Sequence, residues 1–544
     1  MQSACSMGCS VDSSRKSTGA DFMAFRLTYA TMFNPPEEMH QRFEQALERV
    51  RQQLGRAHPL FIEGKDVAPA KSEERYSPID RELALGSFPR AQPSEVEAAL
   101  AAAFAAYPRW RATPVAERAS LMRRVADIME QRVYDIAAAL VLEVGKNRME
   151  ALGEAQEAVD FFRCYADDFE KHDGYDLALP NDPLEGAVSR NRSVLRPYGV
   201  WAVISPFNFP LALAAGPTAA AMVTGNTVVL KCASDTPWSG RLLADCVRDA
   251  GIPAGVFNYV AGSGAAVGEA LVRDSRTAGV TFTGSVAVGR AIMRELNSGP
   301  TPRPCIAEMG GKNPCIVTAS ADLDRAAGGI VRSAFGMGGQ KCSALSRLYV
   351  HEAVADALLE KIEAQLDAIR IGDPGRREHW LGPVINSSAY ANYQRFVSML
   401  REQGAKLRRG GAQLDSGALG RGYYVEPVLA EAPTEHPLWK HEMFLPILMV
   451  QRFEDRDTAM QLANATEMGL TAGLYGNEDD VRWFQDNIEA GVTYANRPQG
   501  ATTGAWPGYQ AFGGWKASGS TGKAIGSYYY LPLYLREQSR TVVE

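Results

Sequence analysis

The sequence predicts an α/β protein with largely parallel sheets, divided into at least two units. Its 544 residues exceed the roughly 100 to 200 of a usual domain, and a 46% hydrophobic, 22% charged composition is typical of a folded chain with a large core. After Val200, short β-branched runs alternate with helical patterns, as in βαβ units.

The longest uncharged run, Pro197 to Leu230, gives the same fold class. Its length alone is compatible with a membrane span, but the internal prolines and asparagines are hard to satisfy in lipid. We interpret it as a buried strand (VWAVIS), a loop (PFNFP), a helix of small residues and a second buried strand (TVVLK).

Helices should precede this sheet. The segment Ser94–Glu97 has capping-box spacing, which predicts that a helix begins there. A helical period from Leu121 to Leu140 predicts one further helix that ends at Gly145, and residues 151–166 read as a third.

The alternation after the second buried strand continues to the end of the chain. The predicted order is helix 237–249, strand 256–260, helix 264–272, strand 280–284 and helix 286–296. A second α/β unit should begin near Gly311, with strands CIVT and RLYVH and helices through Ala334, over 353–369 and over 387–402. The C-terminal YYYLPLYLREQSRTVVE is expected to pair with residues 189–196, within or between subunits.

Charge and cysteine usage narrow the classes of partner. The net charge of −6 is too mild to attract nucleic acid or an anionic membrane, so a small molecule is the expected partner. The eight cysteines form no CxxC pair, and neither a metal site nor a disulfide framework is predicted. Without an apolar signal segment at the N-terminus, we expect the cytoplasm, or the mitochondrial matrix if the source is eukaryotic.

Two glycine-rich segments follow predicted strands and are weak candidates for phosphate binding. AGSGAAVG (261–268) approximates a dinucleotide fingerprint with one residue too many, and TGSVAVG (283–289) has a single close Gly-Ser pair. Each is explained equally well by a tight turn. A P-loop is not supported, because Gly522-Lys523 is followed by Ala524.

Cys342, in GGQKCSALSR, is the candidate nucleophile. It follows several glycines that can turn the backbone sharply, and the charge of Lys341 favours a thiolate if the two side chains converge. His351 lies nine residues on in a predicted strand and is interpreted as structural. Glu308 in IAEMGGKNP is the alternative base, since burial would raise its pKa toward useful values. Taken singly, a buried core cysteine and an ordinary turn carboxylate explain these residues as well.

Seven motifs, in order along the chain, together resemble the aldehyde dehydrogenase superfamily over about residues 60 to 530. They are SPFNFP (205–210), KCAS (231–234), FTGS (282–285), EMGGKNP (308–314), GQKCS (339–343), EMF (442–444) and FGGWKASG (512–519).

The resemblance implies a domain organisation and a reaction. It implies an N-terminal extension over 1–40, an NAD(P)-binding Rossmann-type domain over 41–180 and 197–310, a catalytic domain over 311–510, and bridging or oligomerisation segments over 181–196 and 511–544. Cys342 would attack the aldehyde, Asn208 would hold the oxyanion, and Glu308 would activate the hydrolytic water.

Cofactor residues are implied in the same way. The resemblance places Ser205, Phe207, Lys231, Ser234, Gly264, Gly284, Ser285, Glu442 and Phe444 around the dinucleotide. Ser234 stands where many NAD-preferring members carry an acid that repels a 2′-phosphate, so NAD is expected and NADP is an alternative. A homo-oligomer, dimer or higher, is expected from the family.

On the substrate side, the chain resembles the branch that oxidises L-glutamate γ-semialdehyde in proline breakdown. The residues implied are Glu157 beside Lys341 at the amino end, Ser343, Gly504 and Ala505 at the α-carboxylate, and Phe209 and Phe512 around the stem. Several residues depart from that branch: Ala511, Met309, Cys232, Trp506 and Tyr509.

These departures keep other substrates open. A different semialdehyde, or an aromatic or aliphatic aldehyde, is the alternative within the superfamily. Alternatives of other classes are a cysteine acyl hydrolase that needs no nucleotide and a non-catalytic nucleotide-binding scaffold.

Overall fold

Two seven-stranded sheets organise the protein, whose computed structural model describes residues 25–183 and 185–544. The first sheet has the order Cys305–Glu308, Thr277–Thr283, Val200–Ile204, Thr227–Lys231, Phe257–Val260, Leu60–Ile62 and Lys65–Val67. Its first five strands are parallel and its last two are antiparallel. The predicted α/β class is confirmed.

The second sheet is parallel except at one edge. Its order is Lys406–Arg409, Val428–Glu431, Ile447–Phe453, Leu345–His351, Asn313–Val317, Thr471–Tyr475 and Val492–Ala495. Only the pair formed by the first two strands is antiparallel. Strand residues such as Ile316 and Leu348 are fully buried, because helices cover the sheet.

Three smaller sheets complete the strands of the described residues. In the first, Ser189–Pro197 pairs with Leu535–Val543 on one side and Asp176–Leu179 on the other. In the second, Asp80–Pro89 pairs with Arg56–Ala57 and Ser72–Ser77, and in the third Met468–Gly469 pairs with Trp515–Lys516. The predicted C-terminal pairing is confirmed within one chain, with Leu535 opposite Pro197 and Val543 opposite Ser189.

Helices connect these strands and cover the sheets. The α-helices are Glu37–Arg51, Pro93–Trp110, Val115–Gln131, Val133–Val144, Arg148–Lys171, Ala212–Val223, Pro237–Asp249, Glu269–Arg273, Val286–Leu296, Leu323–Phe335, Glu352–Asp367, Ser387–Glu402, Arg456–Asn464 and Glu478–Asn487. Shorter helical turns are Asp173–Tyr175, Gly264–Gly268, Gly336–Gly339, Leu419–Arg421, Pro437–Trp439 and Leu531–Tyr534. Along residues 25–183 and 185–544, no helix is both long and apolar enough to cross a membrane.

The uncharged run folds as predicted, with strand, loop, helix and strand all buried. Two predictions nearer the N-terminus are wrong in detail. The capping box is formed by Gln92, not Ser94, because the Glu95 carboxylate accepts from the Gln92 N–H at 2.7 Å. The helix predicted to run on from Leu121 is two helices, interrupted at Arg132.

The third predicted helix begins earlier than expected, at Arg148. The Asn147 side chain caps it by accepting from the N–H groups of Met149 and Glu150 at 3.1 and 3.0 Å. The preceding helix ends at Gly145, as predicted, and Gly145 has the left-handed conformation (φ 83°).

The division into functional domains stays a prediction, but two features bear on its boundaries. The helix Glu37–Arg51 crosses the predicted limit at residue 40. The C-terminal segment lies between the two large sheets, since Trp515–Lys516 pairs with Met468–Gly469 while the Ser518 carbonyl accepts from the Met309 N–H at 2.8 Å.

Candidate active site

Cys342 lies on a sharp turn after the helix Leu323–Phe335. Met337, Gly338 and Gly339 all have positive φ values (55°, 63° and 65°), so the backbone reverses within a few residues. Gly339 is also needed for space, because a Cβ there would lie 2.3 Å from the Leu445 carbonyl oxygen. The predicted glycine turn before the cysteine is therefore present.

The Asn313 side chain, whose role the sequence does not indicate, holds this turn against the second sheet. The Asn313 amide donates to the carbonyls of Cys342 at 2.7 Å and Ala344 at 2.8 Å, and its oxygen accepts from the Thr471 N–H at 3.1 Å. Asn313 stands in the EMGGKNP motif, but nothing in its spacing indicates which loop it would bind.

The Cys342 thiol is partly accessible, yet protein surrounds it closely. Burial, together with the nearby carboxylates of Glu442 and Glu308, raises its pKa to about 12. The thiol is therefore protonated at neutral pH in the protein alone, and a thiolate has to be formed by proton transfer during the reaction. No described His side chain lies among the groups that shift this pKa.

Glu308 ends the strand Cys305–Glu308 and is 6% exposed. Burial raises the pKa of its carboxyl well above the ordinary value, opposed only by the Gly514 backbone N–H. Its Oε2 has no hydrogen-bond partner among the described residues. A buried carboxyl with a raised pKa and a free oxygen is what a general base for a water molecule requires.

The loop of Asn208 is fixed by a buried ion pair that the sequence did not reveal. Lys146 and Glu154 are in direct contact, and both side chains are inaccessible to solvent. The Lys146 ammonium also donates to the Asn208 carbonyl at 2.7 Å and lies 4.2 Å from the centre of the Phe209 ring. Asn208 is itself buried.

Glu154 secures the other end of the same loop. Its Oε1 accepts from the backbone N–H groups of Leu211 at 2.8 Å and Ala212 at 3.2 Å, at the start of the helix Ala212–Val223. A carboxylate at this position satisfies N–H groups that the helix leaves unbonded. The pair thus holds the loop at both ends.

The predicted cofactor residues of the first sheet gather at one edge. The register places Ile204 beside Phe282 and Lys231, Lys231 beside Val260, and Thr283 beside Glu308, so the loops that follow these strands are neighbours. Lys231 ends its strand at this edge, and the loops carry Ser205, Phe207, Ser234, Gly264, Gly284 and Ser285. The carboxyl edge of a parallel sheet is where dinucleotides bind in such folds.

Several features of this edge fit a nucleotide. The Ser205 hydroxyl is buried without a partner among the described residues, and burial lowers the pKa of the Lys231 ammonium, which is 5% exposed. A Cβ on Gly264 would meet open space. Ser285 caps the helix Val286–Leu296 by accepting from the Val288 N–H at 3.4 Å, which leaves that helix N-terminus at the edge.

Glu442 and Phe444 approach this edge from the second sheet's side of the molecule. The Glu442 carboxylate accepts from the Gly311 N–H at 2.9 Å, and burial raises its pKa. Phe444 has a positive φ of 56°, and its ring packs edge-on against Phe207 at 5.7 Å. Ser234 donates to the Gly262 carbonyl at 3.1 Å.

One cavity opens at Cys342, and all of the predicted substrate residues line it. They are Glu157, Phe209, Lys341, Ser343, Gly504, Ala505 and Phe512. The structure adds wall residues that the sequence did not indicate: Tyr29, Met32, Phe33, Glu150, Arg332 and Trp380. Three of them, Tyr29, Met32 and Phe33, lie within the predicted N-terminal extension 1–40.

Glu157 lines the same cavity as Lys341, but the direct partner of the lysine is another glutamate. The Lys341 ammonium pairs with Glu150 at 2.8 Å, two helical turns earlier on Arg148–Lys171, whereas Glu157 accepts from the Tyr29 hydroxyl at 2.7 Å. Glu150 and Glu157 are seven residues apart and so share a face, and the sequence cannot tell which of them reaches the lysine.

The departures from the expected branch affect the cavity unequally. Trp506 lines it, and its indole N–H donates to the Asp160 carboxylate at 2.8 Å. Met309 and Cys232 instead pack in the core around the first sheet, and Tyr509 is 67% exposed. Of these four, only Trp506 lines the cavity, so the expectation that departures reshape the pocket stays a prediction for Trp506.

Comparisons with known proteins agree with this arrangement. The sequence matches the aldehyde dehydrogenase family over residues 66–539, and the chain belongs to that family. The 1-pyrroline-5-carboxylate dehydrogenase 1 of Halalkalibacterium halodurans is 37% identical over 517 residues, which cover 93% of this chain and 97% of the relative.

Solved structures of similar proteins superpose on most of this chain. The 1-pyrroline-5-carboxylate dehydrogenase from Thermus with bound NAD superposes with a TM-score of 0.88 at 33% identity, covering 96% of this chain and 99% of that one. An NADP-dependent enzyme of E. coli superposes with a TM-score of 0.84 at 32% identity, covering 90% and 99%.

Proposed function

We propose that this protein oxidises L-glutamate γ-semialdehyde, the open form of 1-pyrroline-5-carboxylate, to L-glutamate. The observation that carries the proposal is the cavity at Cys342, whose walls combine the cations of Lys341 and Arg332 with the carboxylates of Glu150 and Glu157. An amino acid aldehyde presents one carboxylate and one ammonium group, and each needs a group of opposite charge. The two relatives named for 1-pyrroline-5-carboxylate support the same substrate.

The chemistry at Cys342 follows from the residues around it. The Cys342 thiol loses its proton to solvent water, and its sulfur attacks the aldehyde carbon to give a thiohemiacetal, whose oxyanion accepts hydrogen bonds from the Asn208 side-chain amide and the Cys342 N–H. Collapse to a thioester releases a hydride. Glu308 then takes a proton from water, which attacks the thioester carbonyl and frees the acid and the thiol.

NAD, when bound, supplies the acceptor for that hydride. Lys231, Gly264, Gly284, Ser285, Glu442 and Phe444 would hold the dinucleotide, and Ser205, Phe207 and Ser234 would line the same trough. NADP is the alternative, because Ser234 brings no negative charge to repel a 2′-phosphate. The NAD-bound relative favours the first choice.

Ser343, Gly504 and Ala505 would anchor the α-carboxylate of the substrate. The Gly504 carbonyl accepts a hydrogen bond from the Arg497 side chain at 3.2 Å, which holds this loop in place. Gly504 has a φ of 124°, a backbone conformation that favours glycine. Glycine there lets the guanidinium approach closely, because a Cβ would lie 2.3 Å from an Arg497 nitrogen. Phe209 and Phe512 would enclose the aliphatic stem.

Initial rates of NADH formation test the substrate. The purified protein is given 1-pyrroline-5-carboxylate, succinic semialdehyde, hexanal or benzaldehyde, each with NAD and with NADP. We expect the highest kcat/KM for 1-pyrroline-5-carboxylate. A higher value for an aldehyde without the amino acid group would refute this substrate, and ester hydrolysis without nucleotide as the dominant activity would favour a cysteine acyl hydrolase.

The proposal extends to assembly and location. The small sheet of Leu535–Val543 and its partners exposes apolar side chains (Leu177, Val188, Val542 and Val543), which supports a homo-oligomer, dimer or higher, with this sheet at the interface. The six cysteines of the described residues are free, which suits the reducing cytoplasm, or the mitochondrial matrix in a eukaryote. Sedimentation velocity of the full chain tests the first point.

A further inference from the structure

The segment that precedes the first helix forms part of the substrate cavity. Tyr29, Met32 and Phe33 line the same space as Cys342, and Arg332 stacks over the Phe33 ring at 3.9 Å. Arg26 reaches the Asp160 carboxylate at 3.5 Å on the long helix below. This segment is therefore a wall of the cavity in the described structure.

The Tyr29 ring is held firmly in that wall. It packs edge-on against Trp506 at 5.0 Å and against Phe209 at 6.3 Å, measured between ring centres. Gly153 lies directly beneath, where a Cβ would come within 2.9 Å of the ring. Two of these neighbours belong to the substrate cavity, so the ring sets its width on this side.

The Tyr29 hydroxyl fixes one oxygen of Glu157. It donates to Oε2 at 2.7 Å, and among residues 25–183 and 185–544 no other side chain bonds to this carboxylate. Burial raises the pKa of Glu157 to about 8, and the hydrogen bond from Tyr29 opposes that rise. The bond thus favours the ionised form, which the ammonium group of a ligand would favour further, and it leaves Oε1 free to accept from that ligand.

We propose that Tyr29 determines specificity for aldehydes that carry an α-amino group. Its hydroxyl orients the Glu157 carboxylate toward the substrate ammonium, and its ring closes the cavity against wider aldehydes. An aldehyde without the amino group gains nothing from this carboxylate and leaves it unpaired in the cavity, which disfavours its binding. This role rests on the proposed function and deepens it.

The hydroxyl is tested with Tyr29→Phe and two aldehydes that differ by one group. Glutarate semialdehyde is L-glutamate γ-semialdehyde without the amino group. In the variant we expect KM for the amino aldehyde to rise about tenfold with kcat nearly unchanged, since one charge-assisted hydrogen bond is lost. KM for glutarate semialdehyde should change less than twofold.

A matched control is Tyr76→Phe. The Tyr76 hydroxyl likewise donates to a carboxylate, that of Glu74 at 2.6 Å, but it is exposed and outside the cavity. Both aldehydes should keep their constants in this variant. Unchanged constants in Tyr29→Phe, or an equal rise of KM for both aldehydes, would overturn the role of the hydroxyl.

The ring is tested separately with Tyr29→Ala. The ratio of kcat/KM for phenylacetaldehyde to that for L-glutamate γ-semialdehyde should increase at least tenfold, because the wall opens. An unchanged ratio in folded Tyr29→Ala would overturn the proposal that the ring closes the cavity against wider aldehydes. If Tyr29→Ala does not fold, Tyr29→Phe still tests the hydroxyl, because that variant keeps the ring. The wild-type protein tests the proposed function separately. If the wild type prefers glutarate semialdehyde, both proposals fail. If it prefers the amino aldehyde but Tyr29→Phe has no effect, only the proposed role of Tyr29 is refuted.

Discussion

Replacing Glu154 by glutamine should be strongly destabilising, because it leaves the Lys146 ammonium buried without its counter-charge. Both side chains of this pair are inaccessible to solvent, and within residues 25–183 and 185–544 the other groups on the ammonium are the Asn208 backbone carbonyl and the Phe209 ring. Removing one member of such a pair costs about 3 to 5 kcal/mol. That is a large part of the roughly 5 to 15 kcal/mol that separates folded from unfolded proteins.

The reverse change, Lys146→Met, should cost less. Glu154 would keep the backbone N–H groups of Leu211 and Ala212, and a buried carboxyl can also take up a proton. The double variant Lys146→Met with Glu154→Gln should lose less stability than the sum of the two single changes. When both charges are removed together, no unpaired charge stays buried at this position.

Guanidinium chloride denaturation followed by tryptophan fluorescence measures these differences as shifts in midpoint. The matched control is Asp324→Asn, which breaks an ion pair with Lys361 whose side chains are 85% and 40% exposed. It should have no measurable effect. If Glu154→Gln shifts the midpoint no more than Asp324→Asn, the reasoning from burial is wrong.

Four further outcomes concern the reaction. Cys342→Ala should abolish NADH formation, whereas Cys305→Ala, at a free cysteine outside the substrate cavity, should leave it intact, and steady turnover by Cys342→Ala would contradict the covalent scheme. Glu308→Gln should retain a burst of NADH but slow its steady rate about 100-fold. Because burial raises the pKa of Glu308 and only the ionised carboxylate accepts a proton, wild-type kcat should increase as pH rises through that pKa, and Glu308→Gln should lose this dependence in a pH-rate profile. Asn313→Ala should lower kcat about tenfold with little change in KM for NAD, because the Cys342 turn loses two hydrogen bonds; an unchanged kcat would show that the glycines alone hold the turn.

Much of the site was predictable because its signals are local. Cys342 follows glycines that only a sharp turn explains, and Glu308 ends a short apolar strand before two more glycines. The strand, loop and helix around Asn208 follow from an uncharged run that only a doubly covered sheet can bury. Even the C-terminal pairing with residues 189–196 follows from two strand patterns that need partners.

The remaining contacts join residues far apart in the chain, and spacing carries no information about them. Trp506 reaches Asp160 across 346 positions, and Tyr29 reaches Glu157 across 128. The choice of Glu150 rather than Glu157 as the partner of Lys341 depends on how one helix is rotated against the Cys342 turn.

The sequence by itself determined the α/β class and most of the order of the elements, because hydrophobic period, glycine and proline act on near neighbours. The candidate pair Cys342 and Glu308 came from the ordered set of seven motifs, because each of these residues taken singly has an ordinary structural explanation. Tertiary structure alone decided which distant side chains close the cavity and which buried charges hold its loops. Packing selects those contacts after the elements have formed, since each depends on the relative position of several helices and strands at once.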